Sequence, residues 1–228
     1  IGILILSDVI RQDAKTTLDY FKRQDVDIKI ISGDDPVTVS AIARRCHLLN
    51  YEHYIDVSSL SDEQIKEAIE KYTIFGRVSP KQKQLMVNAL QENNHTVAMT
   101  GDGVNDVLAL KAADCSIAMA SGSDAAKSAS HIVLLKNNFN AMPHIVNEGR
   151  RVINNITASA SMYLIKTIFS VVLSIGMILF GHGYPFKPIQ LTVISACCVG
   201  IPTFFLTYEP NFKRVSGDFL KTPSLLPL

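Results

Sequence analysis

Thr100-Gly101-Asp102-Gly103-Val104-Asn105-Asp106-Val107-Leu108-Ala109-Leu110 is the stretch whose reading decides the fold. The residues before it, Thr96–Met99, read as a short strand, and those after Asp106 have helical spacing. A strand thus delivers two carboxylates and an amide into a turn with two glycines. Glycines let backbone N–H groups come close to a phosphate. Carboxylates gathered without Cys or His suit a hard cation such as Mg²⁺. By itself, an Asp/Asn/Gly loop is equally an ordinary turn.

Outward from this loop, strands and helices alternate. Gly2–Leu6, Ile28–Ile31, Tyr72–Phe75, Thr96–Met99, Cys115–Met119 and His131–Leu134 are the strand candidates. Alternation of this kind predicts an α/β fold, a parallel sheet of Rossmann type covered by helices on both faces. Ligands then sit at the C-terminal strand ends. Two polar turns fall there: Ser32-Gly33-Asp34-Asp35 and the loop already quoted. A hydroxyl and an amide at Ser32 and Gly33 can hold a phosphate oxygen. Ser79-Pro80 starts a helix, with an N-cap hydroxyl and Pro in the first turn. Lys83 stands near that start and can act as a point charge on a phosphoryl group. Alone, Lys83 reads more readily as a solvated surface charge and Ser32-Gly33-Asp34 as an ordinary turn.

From about Asn154 the composition changes. Ala158–Phe180 carries one charge, Lys166, and Ile189–Tyr208 carries none. Each is long enough for a bilayer core, which needs about 20 helical residues. Gly181–Pro188 joins them. Arg150 and Arg151 precede the pair, and Lys213, Arg214 and Lys221 follow it. The Lys/Arg bias predicts that both ends are cytoplasmic. The competing reading is two buried helices of a soluble protein. Lys166 lies roughly 12 Å into its helix, where a lysine costs about 2.5–3.5 kcal/mol on insertion scales. It either snorkels to the surface or faces a transport path.

The remaining features narrow the class. Lys and Arg total 22 against 21 Asp and Glu, so charge gives no argument for nucleic acid. Cys46, Cys115, Cys197 and Cys198 have no zinc-site spacing. The opening Ile1–Leu6 reads as a buried strand rather than a leader, and both chain ends are expected to be cuts in a longer polypeptide.

Ser32-Gly33-Asp34, Arg77-Val78-Ser79-Pro80-Lys81-Gln82-Lys83 and Thr100–Leu110 together resemble the haloacid-dehalogenase type of phosphoryl-transfer site. More narrowly they resemble the P-type ATPases. The match continues through Lys111-Ala112-Ala113-Asp114, Ile117-Ala118-Met119, Asn137-Asn138-Phe139, Glu148-Gly149-Arg150-Arg151 and Asn154-Asn155. The resemblance implies ATP-driven cation transport through an aspartyl phosphate, with ATP and Mg²⁺ as cofactors. It implies that Asp102 ligates Mg²⁺ and that Asn105 and Asp106 order the phosphate and the lysine. Lys83 would neutralise phosphoryl charge, while Ser32, Gly33 and Asp34 bind phosphate. Thr100 and Gly101 would shape the loop, with Arg77 near the nucleotide. Partners would be the lipid bilayer, the transported cation and the missing N-terminal parts of the same polypeptide. The protein would lie in a bacterial plasma membrane with its catalytic domain cytoplasmic. The domains expected are 1–140, the C-terminal part of the phosphorylation domain; 141–157, a helical stalk; 158–208, two transmembrane helices; and 209–228, a truncated cytoplasmic tail.

The departures are as informative. The family's Asp-Lys-Thr-Gly-Thr and Thr-Gly-Glu strings do not occur, so this chain alone is expected to be inactive. Asp8-Val9-Ile10-Arg11 stands where the family has Asp-Pro-Pro-Arg. Laid on the calcium-pump pattern, the ion-ligand positions fall on Ile168, Val171, Ser195, Cys198 and Val199, with no carboxylate. Lys166, Ser195, Cys198 and Pro202 remain as transport-path candidates, and Pro202 is expected to break its helix. Cys197 and Cys198 read either as soft-metal ligands or as small packing residues. Gly200-Ile201-Pro202-Thr203-Phe204-Phe205-Leu206 followed by Glu209-Pro210-Asn211 resembles a bacterial branch of cation pumps. The alternatives are a soluble phosphatase of the same superfamily, a pump for an organic cation or lipid, and a non-enzymatic relative.

Overall fold

The computed structural model describes residues 14–135, 138–181, 183 and 185–215. The expected strand Gly2–Leu6, the Asp8–Arg11 turn, Asn137 and the tail beyond Val215 lie outside the described residues. The chain divides between Pro143 and His144 into two compact units.

The first unit alternates helix and strand in chain order: α1 (Ala14–Arg23), β1 (Ile30–Ile31), α2 (Pro36–Arg45), β2 (Tyr54–Asp56), α3 (Asp62–Lys71), β3 (Ile74–Gly76), α4 (Pro80–Glu92), β4 (Ala98–Gly101), α5 (Val107–Ala112), β5 (Cys115–Met119), α6 (Asp124–Ala129) and β6 (Ile132–Leu134). Every pairing is parallel. The strands form one sheet in the order β1-β3-β2 and another in the order β4-β5-β6. Parallel neighbours need long crossovers, and the helices supply them.

β3 shows why helices cover both faces. Successive strand side chains point to opposite sides. Phe75 packs with Val57, Ile65, Ile69 and Met86 beneath α3 and α4, while Ile74 packs with Val39, Ala43 and Leu48 beneath α2. Ile74 and Phe75 are fully buried. α4 contributes Met86 and Ala89 to the first cluster, and Val87 to a cluster with Ala109 and Ala113 of the α5 region. One helix therefore belongs to the cores of both sheets.

Four strands start later than the apolar runs suggest, β1, β3 and β4 by two residues and β6 by one, and for β3 and β4 the preceding helix is the reason. Tyr72 N–H still donates to Ala68 O at the end of α3, and His95 N–H to Leu90 O at the end of α4. The helix exits consume the first residues of those runs. β2 escapes the sequence reading because it is a three-residue edge strand beginning on an exposed Tyr54.

The second unit holds α7 (Met142–Leu179, reaching from the last residues of the first unit), α8 (Pro188–Ser195), a π-helical turn (Ala196–Gly200) and α9 (Ile201–Leu206). At 1.5 Å per residue α7 runs about 57 Å, nearly twice a bilayer core. Its later part and the second segment are apolar enough to cross a membrane. Their large side chains are exposed, with Ile178, Leu179 and Phe180 each more than three-quarters accessible. Buried helices of a soluble core would hide them. Six hydroxyls in these segments are satisfied locally: Thr157, Ser161, Thr167, Ser174, Ser195 and Thr207 each donate to the carbonyl four residues back, whereas Thr203 Oγ1 is buried without a partner among the described residues.

The expected break at Pro202 is a widened turn instead. Ile201 N–H donates to Ala196 O, five residues back, and the helix continues through Pro202. The wider turn makes room for a proline ring that would otherwise strike the carbonyl of the preceding turn. At the base of the hairpin, Asn155 Nδ2 donates to Thr207 O and Glu209 O at 3.3 and 3.0 Å. Asn154 Nδ2 reaches Asn211 O and Lys213 O, and Arg151 donates to Thr207 O at 2.7 Å.

Gly76 ends β3 against the start of α2. A Cβ there would lie 2.5 Å from Pro36 N and Cδ. Gly76→Ala is expected to destabilise the first unit by about 1–3 kcal/mol, the usual range for overpacking. Thermal unfolding followed by circular dichroism checks this, at roughly 2–4 °C per kcal/mol; an unchanged midpoint would contradict it.

Candidate functional site

α4 begins on a complete capping box. Ser79 Oγ accepts from Gln82 N–H, and Gln82 Oε1 accepts from Ser79 N–H. Gln82 Nε2 also donates to Val57 O. The helix start is fixed, and Lys83 in its first turn is aimed rather than free. Its Nζ lies 2.7 Å from Asp106 Oδ1, with the two side chains 12% and 11% exposed.

Asp106 is held from both sides. Its second oxygen, Oδ2, accepts from Gly103 N–H at 3.1 Å. Gly103 O in turn accepts from Asp106 N–H across the 3₁₀ turn Val104–Asp106. Gly101 makes room for it: a Cβ there would stand 2.6 Å from Asp106 Cβ. The second glycine of the motif closes the turn, and the first permits the aspartate to lie against the strand end.

Asp102 and Asn105 point differently. Both are exposed, and neither side chain makes a hydrogen bond or ion pair with any described residue. The Asp102 backbone is nonetheless fixed, because Ser123 N–H donates to its carbonyl at 2.8 Å. A Cβ on Gly122 would meet that carbonyl at 2.8 Å and Asp102 Cα at 3.0 Å. Ser123 also caps α6, accepting from Ala126 N–H. Asp102 thus offers an unengaged carboxylate on a rigid support. Among the described residues no three His, Cys, Asp or Glu converge on one point. A Mg²⁺ held by one carboxylate, phosphate oxygens and water fits this donor set; a cation needing an all-protein cage does not.

Ser32, Gly33 and Asp34 form the β1–α2 turn. Ser32 Oγ donates to Asp34 Oδ2 and accepts from Asp34 N–H, each at 3.1 Å. Gly33 has open space around it. The turn is stitched to the end of β3: Arg77 N–H donates to Asp34 O and Val78 N–H to Ser32 O. Arg77 has a left-handed backbone, with φ 56°. Its guanidinium lies 3.0 Å from Asp35 Oδ2 and 3.4 Å from Asp56 Oδ2. Asp35 uses its other oxygen to cap α2 at Val37 N–H. The Ser58 hydroxyl, then the Ser58 amide, then Arg77 hold the Asp56 carboxyl below its ordinary pKa.

The sequence-predicted residues therefore fall into two groups. Gly101, Asp102 and Asp106 lie at the end of β4, with Thr100 and Asn105 exposed there and Lys83 of α4 paired to Asp106. Ser32, Gly33 and Asp34 lie after β1, in a turn that the Arg77 and Val78 amides after β3 hold. Among the described residues no hydrogen bond or ion pair joins the groups; the link is the α4 entrance, which follows Arg77 directly. In the second unit, Ser195 Oγ is spent on Leu191 O at 2.6 Å. Cys198 lies in the π-turn and Pro202 just beyond it.

Sequence reasoning missed Asp56, Gly122 and Ser123, and it placed Asp35 in its polar turn without the pairing to Arg77. Ser121-Gly122-Ser123-Asp124 carried the same signal as the other loops, a Gly-containing polar turn after a strand. The pairing of Asp35 and Asp56 to Arg77 carried none, because a contact across the fold leaves no local pattern.

Parallel strands that present a nearly buried lysine–aspartate pair and an unengaged aspartate at their C-terminal ends define an α/β domain with its charged groups where ligands of such sheets sit. Residues 1–114 match the haloacid dehalogenase-like hydrolase family, and the chain belongs to it. It is 47% identical, over 100% of its own length and 30% of the other's, to the probable cation-transporting ATPase exp7 of Streptococcus pneumoniae. It is 45% identical to the calcium-transporting ATPase CtpE of Mycolicibacterium smegmatis, over 96% of this chain and 29% of that one. A zinc-transporting PIB-type ATPase in its E2.Pi state shares the fold, with TM-score 0.64 at 24% identity over 88% of this chain and 27% of its own. The chain spans less than a third of the length of these relatives.

Gly101→Ala is expected to destabilise the first unit by about 1–3 kcal/mol, because the methyl displaces Asp106. Gly103→Ala, whose methyl would stand 3.4 Å from Asp106 Oδ2, should have a smaller effect. Calorimetry on both variants checks the order; equal midpoints would contradict it.

Proposed function

We propose that this chain is the phosphate-binding part and one membrane hairpin of a cation-transporting P-type ATPase, which works through an aspartyl phosphate. The observation that carries the reading is the buried Lys83–Asp106 pair beside the unengaged Asp102. It supports a phosphoryl-transfer role because such transfer needs positioned charge more than covalent chemistry from its surroundings. The relatives' names favour cation transport, and the exposed apolar faces of the two helices favour a membrane protein over a soluble phosphatase.

In this account Lys83 holds a fixed positive charge against the transferring phosphoryl oxygens, and Asp106 keeps the ammonium in place. Ser32 and Gly33 offer a hydroxyl and an amide to a phosphate oxygen, with Ser32 exchanging its bond to Asp34. Asp102 would hold Mg²⁺, which when bound supplies further neutralisation of phosphate charge. Asn105 lies beside it for the phosphate. Arg77 holds the Ser32 turn to β3 and stands near the nucleotide. The nucleophilic aspartate, the ATP-binding parts and the other membrane helices would belong to the remainder of a longer polypeptide. The bacterial plasma membrane is its proposed site, with the first unit cytoplasmic.

Calcium is the cargo named for CtpE, yet residues 158–208 contain no Asp or Glu. A calcium ion takes six to eight oxygens, commonly with carboxylates among them. If calcium is the cargo here, its carboxylate ligands come from outside the hairpin.

In the full-length protein Asp102→Asn is expected to lower Mg²⁺-dependent phosphoenzyme formation from ATP by about 10²-fold or more, the scale of losing one electrostatic stabiliser. Acid-stable radiolabelling measures it, with circular dichroism as the folding control. Near-normal labelling would remove Asp102 from the metal site.

A further inference from the structure

One guanidinium joins the three strand ends of the first sheet. Asp35 follows β1 as the N-cap of α2, Asp56 is the last residue of β2, and Arg77 comes directly after β3. Arg77 Nη2 lies 3.0 Å from Asp35 Oδ2, and Nη1 lies 3.4 Å from Asp56 Oδ2. Neither carboxylate is free to swing. Asp35 Oδ1 accepts from Val37 N–H at 3.0 Å, and Asp56 Oδ1 accepts from the Ser58 amide and hydroxyl at 2.9 and 2.6 Å. Asp56 also stands in register beside Gly76, and Val57 N–H donates to Gly76 O. Each carboxylate gives one oxygen to its own turn and the other to Arg77.

Stability does not account for this arrangement. Exposed ion pairs contribute little, and the Arg77, Asp35 and Asp56 side chains are 53%, 43% and 38% exposed. Ile74 and Phe75 already hold β3 in the core. Arg77 moreover has a left-handed backbone, which is unfavourable for a residue with a side chain and persists where its surroundings over-determine it. What the two carboxylates fix is orientation. A guanidinium carries five N–H donors in one plane, and a contact at each terminal nitrogen sets that plane. The rest of the fork stays open to a ligand.

We propose that Asp56 is a positioning residue for nucleotide binding: with Asp35 it holds the Arg77 guanidinium in the plane from which its remaining N–H groups meet ATP. The inference rests on the pump reading above, which puts Arg77 near the nucleotide. A fork held before the ligand arrives loses less side-chain freedom on binding. Asp56 acts through Arg77 alone, so its effect falls on ATP affinity and not on the phosphoryl step that Lys83 and Asp102 serve. Asp56 is the residue to change, because Asp35 also caps α2.

The test uses the full-length protein in native membranes. Asp56→Asn keeps an oxygen for Ser58 and removes the charge. It is expected to raise the ATP concentration that half-saturates phosphoenzyme formation by about fivefold or more, with the maximal rate within about twofold of the unaltered protein, the pattern of lost ground-state binding. Labelling by inorganic phosphate, which reverses the hydrolysis step and needs no nucleotide, should stay the same. In an Arg77→Ala background, Asp56→Asn should add nothing. An unchanged ATP dependence would overturn the proposal. So would an equal fall in labelling by ATP and by inorganic phosphate, which marks a structural role, or effects of the two changes that multiply. An unaltered protein that takes no phosphoryl group from ATP would remove the pump reading and this proposal together, whereas the variant results remove the proposal alone.

Discussion

The ion pair between Lys83 and Asp106 is the constraint on which the rest of the first unit depends. Two opposite charges with side chains nearly buried are each unfavourable alone. Removing one partner of such a pair typically costs about 3–5 kcal/mol, because the other charge stays behind without compensation. The fold therefore has to bring the start of α4 and the end of β4 together and hold them. It does so with the Ser79–Gln82 capping box on one side and the Gly103 amide on the other. What results is a lysine whose charge is not dispersed into solvent, at a strand end where a phosphate can approach.

Close backbone approaches tie that site to the core. Gly76 lies against Pro36, Gly101 against Asp106, and Gly122 against the Asp102 carbonyl. None of these places has room for a methyl group. The first sets α2 on β3, and with it the Ser32 turn that the Gly76–Val78 backbone holds. The other two set the acidic loop between β4 and the start of α6. α4 then carries the order from one sheet to the other, since Met86 and Val87 lie in different clusters. The site is preorganised by the same contacts that stabilise the sheets, which is the economy expected when catalysis depends on fixed charge.

Much of this was legible in the sequence because it is local. Thr100–Asp106 announces a strand end, a tight turn and a carboxylate; Ser79-Pro80 announces a helix start; two long apolar runs announce the hairpin helices. The parallel α/β class follows from alternation alone. What was not legible is long-range. Nothing near Arg77 tells that its guanidinium meets Asp35 and Asp56, or that Asn154 and Asn155 catch the carbonyls after α9. The helix ends at Tyr72 and His95 shifted strand starts that apolarity placed too early. Pro202 was read as a helix breaker, whereas the added residue of a π-turn absorbs it. The helix pattern supplies no signal for choosing between these two responses.

In the proposed function Lys83 and Asp106 act as one unit on the phosphoryl group. A double-mutant cycle on phosphoenzyme formation by the full-length protein tests it most directly, using Lys83→Ala, Asp106→Ala and the pair together. Strong coupling is expected: each single change lowers the rate, and the double variant is little worse than the more impaired single one. Multiplication of the two effects, as for independent residues, would contradict it.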